Sequence, residues 1–594
     1  MLGPIFTREW LTMPRRPRHY LTRGLFLGTL WVLLLTVWQT TIGWERTPTL
    51  GDQARFGLLA FQVLTYVQLS LLLFFSALSA ASTIAQEKDR RTFLLLLLSD
   101  LRNHEIVLGK LFGSLLQIGV FLAAMAPMLM LLLLLGGVAP FQVGEALLVL
   151  ATTALAAGSL GGLVALWREK TFQALALTVL LLVLYLCLTR GLGLVPLLFS
   201  VDADRVAVWQ SAFDPFLALS RIVDVTPASE SGLAPAHRFS LTMLGLAALL
   251  NLCGIIRLRV WNPSGEPIMQ REVAIGDPTL DADRAKAHAA PGSARPVWNN
   301  PILWREMMTR AYGRRPLIVK LAYFLVLGLI CYYAFGMADQ RGWAAARGLV
   351  PVAILSLLLV SAQAVTSITS ERDLGSFDLL MVTDLSPREF IFGKVGGILY
   401  NTKEYLLPPL ILIIVYAIRC QLSTPPRAFR NAEAGTLLLL ACLTIMAFTV
   451  ILGIHVALRA ETSRLAVAHS LGTVFFLSVG TLLCIYLILI NGRFEYQWLS
   501  FSAFIFLGVG GLWWVLCGEK PSSALSLASW ACPFAVFYTV TNLLIGKPGG
   551  LESSDPLWPF IATAGSFGFA VAAMLVPLLS EFDTAIGRAG AHGD

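Results

Sequence analysis

Apolar runs close to the roughly 20 residues that cross a bilayer follow one another along this chain. They fall at residues 24–44, 56–85, 111–136, 146–167, 172–200 and 241–256, and again at 319–337, 348–369, 390–418, 436–458, 465–490 and 560–579. Short charged or proline-containing segments separate them. The pattern predicts an all-α polytopic membrane protein, because a helix satisfies its own backbone where water is absent. Two more apolar stretches, 499–517 and 525–545, stand where the first half has only the modest run 209–225. They are either two extra spans or a re-entrant hairpin, and both options preserve parity. The expected architecture is two tandem six-helix bundles, with twelve spans or fourteen.

The halves are copies. Glu87, Asp89, Phe93, Leu95, Leu96, Asp100, Leu101, Glu105, Gly109 and Lys110 recur identically at a spacing of 284, from Glu371 and Asp373 through Phe377, Asp384 and Glu389 to Lys394. Each copy is a charged arm between the second and third runs of its half. A second repeat opens each half: Pro4, Ile5, Arg8 and Glu9 return as Pro301, Ile302, Arg305 and Glu306, directly before a span. A mixed apolar and charged stretch there suits a helix lying in the interface. The chain divides into a first transmembrane domain (1–261), a linker rich in proline and glycine (262–300) and a second transmembrane domain (301–594). Pro215-Phe216 and Pro533-Phe534 precede the last span of each half and hint at a matching outer turn.

Composition agrees with the pattern. Of 594 residues 56% are hydrophobic and 13% charged, with a mean hydropathy of +0.72, which excludes a soluble domain. The net charge of +8 could suggest nucleic acid. The basic residues flank spans on one side, however, so the positive-inside rule accounts for them and no nucleic-acid partner is expected. Arg8, Arg15, Arg16, Arg18 and Arg23 place the N-terminal tail in the cytoplasm, and the arginine-rich linker follows it. Both arms then also face the cytoplasm, as do both termini, in a multi-pass protein of the cytoplasmic (inner) membrane. The eight cysteines form no C-x-x-C pair and read as packing residues.

Catalytic chemistry is not legible. The pairs Gly109-Lys110, Gly393-Lys394 and Gly546-Lys547 are followed by Leu, Val and Pro, so no phosphate-cradling loop ends in Gly-Lys-Ser/Thr. Neither H-E-x-x-H nor G-x-S-x-G is present, and no catalytic, cofactor or metal residue is assigned. The arms carry the readable physics. Ser386, Pro387 and Glu389 combine an N-cap, a first-turn proline and a capping-box glutamate, so a helix is expected to start there. Arg102 to Glu105 lacks the serine, which leaves the first copy's start less defined. The short apolar segments 93–98 and 377–382, fronted by charge, read as docking elements for a partner.

The patterns Pro-Ile-x-x-Arg-Glu before a span and Glu-x-Asp-x-x-Thr/Ser-Phe-x-Leu-Leu-x-x-Ser/Thr-Asp-Leu-x-x-x-Glu-x-x-x-Gly-Lys between spans resemble permease subunits of the ABC transporter superfamily, type-2 exporter class. That resemblance implies, for each six-span unit, an interfacial connecting helix and a cytoplasmic coupling helix. It also implies two separate ABC-type ATPase subunits, alike or unlike, that bind ATP and Mg beneath this chain, which itself would hold no cofactor and move an unspecified substrate. The coupling arms would include Glu87, Asp89, Phe93, Asp100 and Glu105 with Glu371, Asp373, Phe377, Asp384 and Glu389. The connecting helices would begin near Arg8-Glu9 and Arg305-Glu306. Two units fused in one chain depart from the usual permease dimer.

The second half also carries Asn401, Lys403 and Glu404 before Pro408-Pro409. Counted from a helix start at Pro387, Lys403 would lie about 24 Å along the axis, well into the bilayer, where ionisable groups normally face a bundle interior or water. The three residues are candidates for a substrate path between the halves; an ion pair that packs two helices is the competing reading. Arg190 and His455 read as local helix-end contacts. An ion- or proton-coupled secondary transporter would account for the spans but leaves both repeated elements unexplained. A non-transporting transmitter of force or signal is a third alternative.

Overall fold

The computed structural model describes residues 3–12, 17–42, 49–90, 92–168, 171–194, 202–223, 234–262, 298–308, 316–336, 344–373, 375–377, 380, 383, 385–423, 428–460, 462–491, 498–517, 523–545 and 556–580. These form nineteen α-helices and one 3-10 turn, with no strand among the described residues. The first half comprises α1 (Gly3–Thr12), α2 (Pro17–Thr41), α3 (Leu50–Asp89), α4 (Thr92–Leu98), α5 (Asn103–Leu133), α6 (Pro140–Trp167), α7 (Thr171–Gly191), α8 (Ala203–Phe213), α9 (Pro215–Val223) and α10 (Pro235–Trp261). The second comprises α11 (Pro301–Met308), α12 (Pro316–Gly336), α13 (Ala344–Asp373), α14 (Pro387–Ser423), α15 (Ala428–Arg459), α16 (Ser463–Asn491), α17 (Trp498–Cys517), α18 (Ser523–Ile545) and α19 (Leu557–Ser580). Among the described residues nine helices (α3, α5, α6, α7, α10, α13, α14, α15 and α19) are long and apolar enough to cross a membrane.

Each half is organised around its second and fourth long helices. α3 packs along α6, and α13 along α15. Glycine on the fourth helix permits the approach: a β-carbon at Gly453 would stand 2.5 Å from the Ala364 β-carbon, and one at Gly161 would collide with the Ala77 carbonyl. The halves share one apolar core that runs from α1 through α7 and α13 to α19. α7 packs on α12 and α13, α3 on α16 and α2 on α17. Phe475 of α16 touches the rings of Phe74 and Phe75 of α3 at centroid distances of 5.7 and 5.6 Å.

The connection before the last helix differs between the copies. In the first half it is the short pair α8 and α9, held at the end of the bundle remote from α4. There Gln142, near the start of α6, donates to the Ile222 carbonyl at 2.6 Å, and Arg190 at the end of α7 lies 2.7 Å from Asp214. Asp214 also accepts the Phe216 and Leu217 N–H groups at 2.9 and 3.2 Å, which starts α9. In the second half α17 and α18 are 20 and 23 residues long, about 30 and 35 Å. The Leu516 carbonyl of α17 reaches His455 Nε2 at the end of α15, 3.5 Å away. At the opposite end Thr539 of α18 meets Thr563 of α19 at 2.8 Å. The pair therefore makes contacts at both ends of the bundle. The expected matching turn at the two Pro-Phe pairs is not observed: Pro215 opens α9, whereas Pro533 lies inside α18.

Candidate functional site

The repeated polar residues converge at the end of the bundle that carries α4. In the second half Asn300 accepts the Leu303 N–H at 2.9 Å to start α11 and donates to the Glu389 carbonyl at 2.9 Å, which ties α11 to the start of α14. Gly393, Gly396 and Gly397 line the face of α14 beneath it; a β-carbon at Gly397 would fall 2.5 Å from the Glu306 β-carbon, and one at Gly396 2.8 Å from Leu303. This close seating places Glu306 over Lys394.

Lys394 then fills all three of its donors. It bonds Glu306 at 2.7 Å, Glu371 at 2.8 Å and the Ser367 carbonyl at 3.0 Å, with its side chain 0% exposed. Arg305 pairs with Glu371 and lies 3.4 Å from Glu306. Two cations and two carboxylates close on one another, the condition under which a buried ion cluster is tolerated. One cluster thereby joins the connecting helix α11, the end of α13 and the start of α14. Asn401 reinforces it by donating to the Glu306 carbonyl at 3.3 Å.

The same residues meet in the first half but do not close. Lys110 pairs with Glu87, while Arg8 turns outward and pairs with Glu9 at 2.7 Å. The cause lies at the position equivalent to Gly396, which is Phe112. Its ring meets Phe6 at a centroid distance of 6.5 Å and stands α1 off from α5. A β-carbon at Gly113, the counterpart of Gly397, would lie 3.3 Å from Glu9 Cγ. A cavity of about 430 Å³ opens between α1, α3 and α5.

The arm roots are fixed by a second set of equivalent contacts. Lys88 donates to the Leu166 carbonyl and, at 3.1 Å, to that of Arg168. Its counterpart Arg372 donates to the Ala457 and Ala460 carbonyls at 3.1 and 2.7 Å. Both cations satisfy carbonyls left without intrahelical partners where α6 and α15 end. Asp89 accepts from Thr171 at the start of α7, whereas Asp373 pairs across the halves with Arg90 at 3.4 Å. Sequence comparison had marked the acids but not these cations, whose shared register was the available signal.

Along α4 the i, i+4 pair Phe93 and Leu97 is buried and Leu95 and Leu98 are exposed. Phe93 lies under Lys88, and Phe377 packs edge-on against Phe390. Asp100 is exposed. Glu389 completes the expected capping box with Ser386. Glu105 accepts the Arg102 N–H at 3.0 Å, half of a box, because a guanidinium cannot accept in return. Asp384 lies outside the described residues. The acids Glu87, Asp89, Glu371 and Asp373 thus hold the arms to the bundle, and the face left for a partner on α4 is apolar.

Lys403 and Glu404 occupy different surroundings. Glu404 pairs with Lys320 at 2.6 Å, and Lys403 is exposed with its ammonium 4.1 Å from the Tyr400 ring centroid. The helix-packing ion pair is therefore present, with Lys320 in place of Lys403. Lys320 lies four residues into α12, so the pair ties Glu404 to the beginning of that helix. α14, with 37 residues, is about 55 Å long. Its main packing partners, α11, α13, α15 and α19, all belong to the second half.

Among the described residues no group of His, Cys, Asp or Glu is arranged to hold a metal ion. Neither protein-family models nor curated proteins give a match to this chain.

Proposed function

We propose that the chain is the transmembrane subunit of an ATP-driven exporter of the ABC type-2 class, with separate ATPase subunits docked under its two arms. In this reading the N-terminus, C-terminus, linker and arms lie in the cytoplasm, the protein sits in the cytoplasmic membrane, and α17 and α18 raise the number of spans from twelve to fourteen. ATP and Mg are bound by the partners, and this chain catalyses no reaction of its own. The observation that carries the proposal is the ion cluster repeated at each arm root. In the second half it links the arm, the connecting helix and the third span, and in the first it links the arm to the third span, so a force applied to either arm reaches a bundle-length helix directly.

The exposed apolar face of α4 is the partner contact in this scheme. The tagged full chain, purified from its native host, is expected to bring down an ATPase, and the double substitution Leu95→Asp with Leu98→Asp to reduce that recovery at least tenfold without changing the yield of folded chain. Undiminished recovery would count against the docking role, and transport driven by a pH gradient with no ATPase present would favour a secondary transporter.

A further inference from the structure

The closed cluster of the second half specifies what the open one lacks. Lys394 has three acceptors, and Glu371 receives both Lys394 and Arg305. In the first half Lys110 bonds Glu87 alone, although its side chain is only 6% exposed. Glu87 keeps its second carboxylate oxygen buried and unbonded, and so does Gln86 its amide nitrogen, on a residue 8% exposed. All three line the 430 Å³ cavity, with Glu9, Arg90 and Ser114. Arg90 is engaged by Asp373 and Glu9 by Arg8.

The shortage is therefore of two kinds. Lys110 and Gln86 have donors without an anionic acceptor, the role Glu306 plays for Lys394. Glu87 receives one cation, Lys110, where Glu371 receives both Lys394 and Arg305, and each carboxylate keeps its second oxygen buried and unbonded. A buried polar group left unbonded is destabilising, so a ligand that supplies both partners gains at each. The cavity's volume falls in the range of small-molecule sites and exceeds what a single side chain could fill. α1 beside it exposes Trp10 and Leu11, an apolar border suited to lipid.

We propose that this cavity binds a zwitterion in which a primary ammonium stands a few atoms from a phosphate, the phosphate taken by Lys110 and Gln86 and the ammonium by Glu87. Phosphoethanolamine has this chemistry, either free or as the headgroup of phosphatidylethanolamine. Phosphocholine does not, because its quaternary nitrogen has no N–H to donate. The site follows from the comparison of the two halves and does not depend on the transport reading.

The test uses the full chain in phosphatidylcholine nanodiscs. In one arm free O-phosphoethanolamine is titrated calorimetrically; in the other, part of the lipid is replaced by phosphatidylethanolamine and the unfolding midpoint is followed. Binding in the first arm or stabilisation in the second is expected, and which of them occurs identifies the source. Gln86→Leu, which breaks no existing bond, should weaken the effect about tenfold, equivalent to ~1.4 kcal/mol. Ser370→Ala, at the equivalent place in the filled half, should leave it unchanged. Silence in both arms, or a response that Gln86→Leu does not alter, overturns the proposal.

Discussion

Two copies of one ion cluster have been built to different closures by a single exchange of bulk. In the second half a strip of glycines lets the connecting helix settle on α14, and Lys394, Glu306, Glu371 and Arg305 close into one ion cluster. In the first half Phe112 stands where Gly396 does, and the same polar residues surround a cavity. Charge conservation alone does not conserve a contact; the approach of the backbones decides whether repeated charges meet. The halves are therefore not mechanically equivalent. The second is joined by a four-residue ion cluster, and the first leaves a cavity at the same place.

The largest expected effect separates the two lysines. Lys394→Met leaves two buried carboxylates, Glu306 and Glu371, to share Arg305, and removing one partner of a buried pair costs about 3–5 kcal/mol. Lys110→Met leaves only Glu87, whose side chain is 26% exposed, so the loss should be nearer ~1–2 kcal/mol. Denaturant unfolding of both variants in one detergent measures the difference. Equal losses would mean that the two clusters are equally closed, against the geometry.

A smaller effect should convert one half into the other. Gly396→Phe forces α11 off α14, and such overpacking typically costs about 1–3 kcal/mol. It should also open the cluster, so that acylation of Lys394 by an amine reagent rises toward the rate at Lys110. If the variant is destabilised while Lys394 stays protected, bulk at this position is not what opens the first half.

Much of this architecture was legible in the sequence because its signals are periodic or local. The apolar runs gave the helices, Ser386 to Glu389 gave the start of α14, and the repeats named the acids and lysines of both clusters. Three things were not legible, each for a physical reason. The internal partners of the arm acids were not legible because sequence shows charge but not its counter-ions, which lie on helices as distant as those of Lys394 and Arg305. The partner of Glu404, Lys320, was not legible because residue counting fixes length along α14 but not which helix stands beside it. The neighbours of α17 and α18 stayed open because the apolar composition of a span and of a re-entrant pair is alike and does not foretell the contacts made at His455 and at Thr563.

The smallest effect tests the remote end, where the halves differ most in form. Asp214 caps α9 with its side chain 0% exposed. Burial raises its carboxyl above the ordinary value of 3.8, and Arg190 and the Leu217 and Phe216 N–H groups offset part of that rise. The folded protein therefore holds this proton more tightly than the unfolded chain does. This contribution to stability is present at low pH and declines as pH rises from about 3.8 through the folded value. Asp214→Asn removes the titration and should flatten that decline, while it retains an oxygen for the Phe216 and Leu217 N–H groups. α17 and α18 occupy the corresponding place in the second half without such an acid among their residues, so the effect should map to α8 and α9 by hydrogen exchange. A pH profile unchanged by Asp214→Asn would show that the Arg190 contact already compensates the burial, making the short outer hairpin as insensitive to protons as the pair of long helices that replaces it.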